Sequence, residues 1–326
     1  MLIIAEKQLN GLVEKLKKEF DFFSAQGGSA SGGDPLPFKK YFFPPVQETF
    51  SSDKKGKIST TKAPTEEFIL FGLHLPALEA LTYLDEIMEK PNEDFFYFQK
   101  RNKATVIGVV EGEMPAAPGG DLVFQSVHIV GGQPDGKIFK VFANTKKGNN
   151  IILKNKDFFE EINETEIRVE PTKVKPSLDR DWSDSMRELL VDSELLKDAV
   201  EWSRDNHPIW EELRNQCLGC GICTYVCPIC HCFSVEDRVS LDDKCSRCRK
   251  WDACTLPGFA KISGGHSFRP TIKERYYNWF YHKFVRAYLE FGKPQCVGCG
   301  RCKKYCPAKI DIQEILRRIL EDYKKR

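Results

Sequence analysis

Two runs of cysteine could do chemistry, Cys217-Leu-Gly-Cys220-Gly-Ile-Cys223-Thr-Tyr-Val-Cys227-Pro228 and Cys296-Val-Gly-Cys299-Gly-Arg-Cys302-Lys-Lys-Tyr-Cys306-Pro307. Both follow C-x2-C-x2-C-x3-C-P, the spacing at which thiolates hold the corners of a [4Fe-4S] cubane. Three closely spaced thiolates wrap one cubane only if the backbone between them turns tightly, which Gly219, Gly221, Gly298 and Gly300 permit. The same small residues let backbone N–H groups approach the sulfides, and such bonds help set a reduction potential. The proline after each fourth cysteine redirects the chain, and in paired motifs that cysteine serves the other cluster. The spacing therefore predicts one [4Fe-4S] cluster on Cys217, Cys220, Cys223 and Cys306. It predicts a second on Cys296, Cys299, Cys302 and Cys227. Structural zinc is the alternative, but zinc motifs use two spaced cysteine pairs per ion rather than four-cysteine runs that end in proline.

Five further cysteines, Cys230, Cys232, Cys245, Cys248 and Cys254, lie between the motifs. Four of them would suffice for a third metal site, either a [4Fe-4S] cluster or zinc. The competing expectation is that some are ordinary buried thiols. All 13 cysteines fall between Cys217 and Cys306. In a reducing cytosol such clustering points to metal ligation rather than disulfides, and the odd count argues against complete pairing. No nucleophile with an adjacent base, no phosphate loop and no G-x-G-x-x-G fingerprint accompanies them. Gly119-Gly120 and Gly131-Gly132 read as turns. No residue is assigned a catalytic role, and the expected chemistry is the passage of single electrons.

The elements that must position these motifs read as an α+β chain. With 326 residues and 41% hydrophobic content it can build two globular domains. The first, 1–172, is expected to be a mixed α/β docking domain; the second, 173–326, a mainly α-helical two-cluster ferredoxin-like domain. Helical spacing of Leu9, Leu12, Val13, Leu16 and Phe20 predicts a helix over Lys7–Phe23, and the Gly- and Ser-rich stretch Ser24–Pro37 ends it. Strands are predicted at Phe68–Phe71, Ala104–Val110, Leu122–Val130, Ile138–Phe142 and Ile151–Leu153, with a helix opened by Pro76 that carries Leu78, Leu81, Leu84 and Met88. A linker at Pro171–Arg180 leads into helices over Ser183–Arg214. The chain ends in a helix bearing Ile312, Ile315, Leu316, Ile319 and Leu320, with Asp311 and Glu314 spaced as a capping box. Its basic residues Arg317, Arg318, Lys324, Lys325 and Arg326 read as a solvated face.

A net charge of +2 with interspersed signs gives no case for nucleic acid as a partner. No apolar run approaches the roughly 20 residues of a membrane span, and the N-terminus lacks the order of a signal peptide. The expectation is a cytoplasmic protein without membrane attachment.

These motifs and their surroundings resemble the beta subunit of cytoplasmic sulfhydrogenases and the A-type subunit of anaerobic sulfite reductase. The likeness rests on Cys217–Val235, Trp251-Asp-Ala-Cys254, Gly264-Gly-His266-Ser-Phe-Arg269-Pro270 and Cys296–Pro307. Lys39-Lys-Tyr-Phe-Phe-Pro-Pro45, Ile69-Leu-Phe-Gly-Leu-His74 and Leu84-Asp85 extend it towards the N-terminus. The resemblance implies a non-catalytic electron-transfer subunit of an oxidoreductase complex. Its partners would be a flavin- and NAD(P)H-binding subunit, plus a catalytic metal-containing oxidoreductase subunit. A heterodisulfide-reductase-type subunit with an extra catalytic or structural metal site is the alternative. Cys230, Cys232 and Cys254 match family positions, whereas Cys245 and Cys248 are additions here. Family members often carry a cysteine two residues after the position of His74 and more after the next strand, implying another cluster. Here those stretches read His74-Leu-Pro76-Ala77 and Gly108-Val-Val-Glu111, so that cluster is expected to be absent.

Overall fold

The structure, a computed structural model, describes residues 1–24, 36–60, 66–115, 118–130, 136–163, 168–173, 178–241 and 244–326. Most of the expected loop at 24–37, part of the linker at 171–180 and the Gly131-Gly132 turn lie outside these residues. The chain divides into two units, Met1–Phe42 with Lys62–Pro176, and Phe43–Thr61 with Ser177–Arg326. Among the described residues no helix is long and apolar enough to cross a membrane.

The first unit is built on a mixed sheet. Its strands run in the order Asp21–Ser24, Phe68–Leu73, Ala104–Glu111, Leu122–Ile129, Ile138–Ala143, Leu2–Ala5, Glu160–Glu161, with Val169–Pro171 also paired to Leu122–Ile129. The first four neighbours are parallel and the rest antiparallel. Side chains alternate across a strand. Ile69, Phe71, Ile107, Leu122 and Phe124 therefore share one face, where they pack with Leu9, Leu12 and Leu16 of helix Glu6–Glu19 and Ile151 of helix Lys146–Lys154. On the other face Gly108 meets helix Leu75–Glu89, since a Cβ there would lie 2.7 Å from Leu78 Cδ1.

Two elements differ from the sequence expectation. The first helix stops at Glu19, and Asp21–Ser24 instead forms a parallel strand against Phe68–Phe71. Ile151–Leu153 is not a strand but the last part of helix Lys146–Lys154. Thr145 caps that helix by accepting from the Gly148 N–H, and its hydroxyl donates to Asp121 Oδ1 at 2.6 Å. Asp121 Oδ2 also accepts from the Val106 N–H at 2.8 Å, so one carboxylate ties the helix start to the sheet. The fit is close: a Cβ on Gly148 would lie 2.0 Å from the Asp121 carbonyl oxygen. Gly148→Ala must push the helix off the sheet, at a cost of roughly 1–3 kcal/mol by the usual penalty of overpacking. A denaturant midpoint equal to that of the parent chain would contradict this packing.

The second unit is mainly helical and also contains a four-stranded antiparallel sheet. Helices Leu178–Val191, Ser193–Asn206, Ile209–Gln216, Ile272–Phe280 and Ile312–Lys324 surround a core centred on Trp210, Trp279, Phe280, Phe284 and Leu316. Asp311 caps the last helix by accepting from the Gln313 N–H, and also accepts from Trp182 Nε1 at 3.0 Å. The reciprocal capping box occurs elsewhere, between Thr271 and Glu274. Arg318 of the last helix makes a two-pronged pair with Glu212, at 2.8 and 2.9 Å. The sheet has the order Phe233–Val239, Cys245–Trp251, Val46–Ser52, Ile58–Thr60. Residues 43–61, which the sequence reading places in the first domain, thus pack with the second unit. Trp251 fixes them by donating from Nε1 to the Phe43 carbonyl at 3.0 Å.

Candidate metal centre

Each four-cysteine run folds in the same way. Gly219 and Gly221 adopt φ of 62° and 77°, and Gly298 and Gly300 adopt 64° and 69°. All four sit in the left-handed region that L side chains resist. Each second glycine precedes a single helical turn, Ile222–Tyr225 or Arg301–Lys304. The resulting loops aim backbone donors at sulfur: the Gly219 N–H lies 3.4 Å from Cys217 Sγ and the Ile310 N–H 3.4 Å from Cys306 Sγ.

Two cavities result. One has Cys217, Cys220, Cys223, Cys306 and Pro307 in its wall. The other has Cys296, Cys299, Cys227 and Pro228. Cys302, Trp279 and Ile312 line both. Each fourth cysteine and its proline have therefore crossed into the wall of the opposite cavity. The crossing is held by hydrogen bonds: Arg301 Nε donates to the Val226 carbonyl at 3.0 Å, and Gln295 Nε2 to the Ile229 carbonyl at 3.0 Å.

The walls suit a sulfur-rich acceptor. Among the described residues Trp279 Nε1 and Thr255 Oγ1 are buried without a hydrogen-bond partner, and both residues line the first cavity. A buried polar group left unpaired costs roughly 1–3 kcal/mol. The sulfides and thiolates of a cubane are acceptors that would satisfy such donors, so the residues present fit the cluster. Burial pushes the thiols of Cys223 and Cys299 up to about 12. Metal must therefore displace their protons when it binds, as ligation by thiolate requires.

The insertion cysteines do not gather at one place. Cys230 is buried and its thiol meets Cys227, while the thiols of Cys232 and Cys254 meet each other near Cys223. Cys232 and Cys254 flank the base of the hairpin, where Phe233 pairs with Trp251 and the Asp252 N–H donates to the Cys232 carbonyl. Cys245 is at the far end of the same hairpin, six residues from Trp251 along an extended strand, or about 20 Å. It is exposed, and Cys248 between them is buried within the sheet. Among the described residues no three His, Cys, Asp or Glu side chains converge as a single metal ion would require. The thiolates of a cubane need not converge, because each meets a different iron.

Sequence reasoning missed Lys283. It lies in the π-helical segment Tyr281–Arg286, which continues helix Ile272–Phe280, and lines the second cavity. Burial opposes its charge, while negative charge on the sulfurs of Cys227, Cys230, Cys296 and Cys302 holds its pKa well above the ordinary lysine value. The available signal was a lone lysine within the aromatic run from Tyr276 to Phe284.

Residues 216–310, which contain both cysteine runs and their left-handed glycine turns, match the family described as 4Fe-4S dicluster domain. Over 302 residues the chain is also 28% identical to sulfhydrogenase 2 subunit beta of Pyrococcus furiosus, covering 88% of this chain and 83% of that protein. No solved structure matches the chain significantly.

Proposed function

We propose that this chain is the iron–sulfur electron-transfer subunit of an oxidoreductase complex. It holds one [4Fe-4S] cluster through Cys217, Cys220, Cys223 and Cys306, and another through Cys296, Cys299, Cys302 and Cys227. The observation that carries this reading is the pair of cavities, one walled by Cys217, Cys220, Cys223 and Cys306 and the other by Cys227, Cys296 and Cys299, with Cys302 and Trp279 in both walls. A [4Fe-4S] cluster, when bound, takes up and gives back one electron at a time. The chain's own part is to keep the two sites adjacent, to exclude water from them with Trp279, Tyr276 and Ile312, and to supply N–H donors to sulfur. Cys220 is exposed, as is Leu218 beside it, which favours electron exchange with a partner at this edge.

The likeness to a sulfhydrogenase subunit supports a place between a flavin- and nicotinamide-binding partner and a partner that carries the catalytic metal. The first unit, which contains no cysteine, serves as the docking surface in this scheme. The setting is cytoplasmic. Mixing the chemically reduced chain with NAD(P)+ tests the division of labour. No NAD(P)H should form until the flavin partner is added, and rapid formation by the isolated chain would overturn the scheme.

A further inference from the structure

The two cavities are alike in ligand pattern but not in charge. Lys283 donates from Nζ to Cys227 Sγ at 3.4 Å and to the Gln295 carbonyl at 2.9 Å. It is 3% exposed, and its ammonium lies 5.5 Å from the centre of the Trp279 ring. The side chain is braced at both ends. The Lys283 carbonyl accepts from the Gln295 N–H at 2.7 Å, and Gln295 in turn holds the Ile229 carbonyl two residues beyond Cys227. A π-helical turn is a rare departure from the α-helix that recurs at functional positions. Here it carries this lysine into the wall of the second cavity.

Among the described residues no lysine or arginine is hydrogen-bonded to Cys217, Cys220, Cys223 or Cys306 as Lys283 is to Cys227. The first cavity's neighbouring buried cation, Arg275, commits its guanidinium to backbone carbonyls: Thr255 at 3.0 Å, Arg269 at 3.2 Å and Pro270 at 2.6 Å. Arg301, which borders the second set, adds further positive charge on that side while its Nε holds Val226.

A buried cation is retained only where negative charge compensates it. Among the described residues the side-chain acceptor bonded to Lys283 is a cysteine sulfur, which becomes a thiolate on binding metal, rather than a carboxylate. Such a cation favours the more negative, reduced form of the metal centre beside it, as hydrogen bonds to ligand sulfur also do. We infer that Lys283 is a potential-setting residue that holds the cluster served by Cys227 at a higher reduction potential than its neighbour, making the pair a directed step rather than two equivalent sites. This inference rests on the two-cluster assignment proposed above.

The test is an EPR-monitored redox titration of the full chain, prepared anaerobically, as the parent protein and as the Lys283→Gln and Lys283→Arg variants. Glutamine keeps a hydrogen-bond donor and removes the charge. The parent should show two one-electron waves at different potentials. In Lys283→Gln the upper wave should fall by at least a tenfold change in its equilibrium constant, about 59 mV for one electron. The lower wave should move by less than half as much. Lys283→Arg, which keeps the cation, should recover at least half of the shift. The inference is overturned if both waves stay in place or move together, or if Lys283→Arg behaves as Lys283→Gln. It is also overturned if Lys283→Gln binds fewer irons than the parent, since the lysine would then be a structural part of the ligand shell. A parent protein without two cluster signals would instead sink the assignment on which the inference stands.

Discussion

Cys306→Ser will remove the cluster held by the other motif, leaving the same residual EPR signal as Cys217→Ser and a different one from Cys299→Ser. The reason is geometric. Cys306 and Pro307 line the cavity walled by Cys217, Cys220 and Cys223, whereas Cys227 and Pro228 line the cavity walled by Cys296 and Cys299. Loss of one corner thiolate leaves a cubane iron without its protein ligand, so iron should fall from about eight per chain towards about four. Cys227→Ser should pair with Cys299→Ser by the same logic. If Cys306→Ser left the residual signal of Cys299→Ser, each motif would hold its own fourth ligand and the crossed assignment would fail.

Trp210→Ala should cost the second unit roughly 3–5 kcal/mol, the usual range for removing a buried aromatic ring. Trp210 is 1% exposed, with its ring centre 5.1 Å from Phe280 and 5.2 Å from Tyr277, and its Nε1 donates to the Ser203 carbonyl at 2.9 Å. Truncation empties that space and removes one of the two hydrogen bonds that the Ser203 carbonyl accepts, the other coming from the His207 N–H at 3.1 Å. The effect should reach the metal sites, because Cys217, Cys223, Cys296, Cys302 and Cys306 all pack against the same core. Thermal unfolding followed by cluster absorbance and by far-UV circular dichroism should show both signals lost at a lower temperature in the variant. Cluster loss at the parent temperature would mean that the sites do not depend on this core.

The legible part of this protein was local. The glycine turns within the two four-cysteine runs could be read because they depend on spacing within a dozen residues. Strand Phe68–Leu73 and helix Leu75–Glu89 were visible as an apolar run and as a proline-opened amphipathic segment. Ile151–Leu153 was misread because three apolar residues are too few to show a period, and the Thr145 cap decided the matter. What could not be read was non-local. Residues 46–60 join the second unit through pairs such as Phe50 with Arg247, nearly two hundred positions apart, which no local pattern announces. The spread of the insertion cysteines has the same origin, since the hairpin that separates Cys245 from Cys254 became evident only from its pairing. Burial of Lys283 was hidden because its compensating sulfur lies 56 positions away.

Joint iron and acid-labile sulfide analysis of the anaerobically purified chain tests the two-cluster assignment most directly. Two [4Fe-4S] clusters predict about eight irons and about eight sulfides per chain. Zinc without sulfide, or about four irons, would contradict it, and about twelve irons would place a third cluster in the chain.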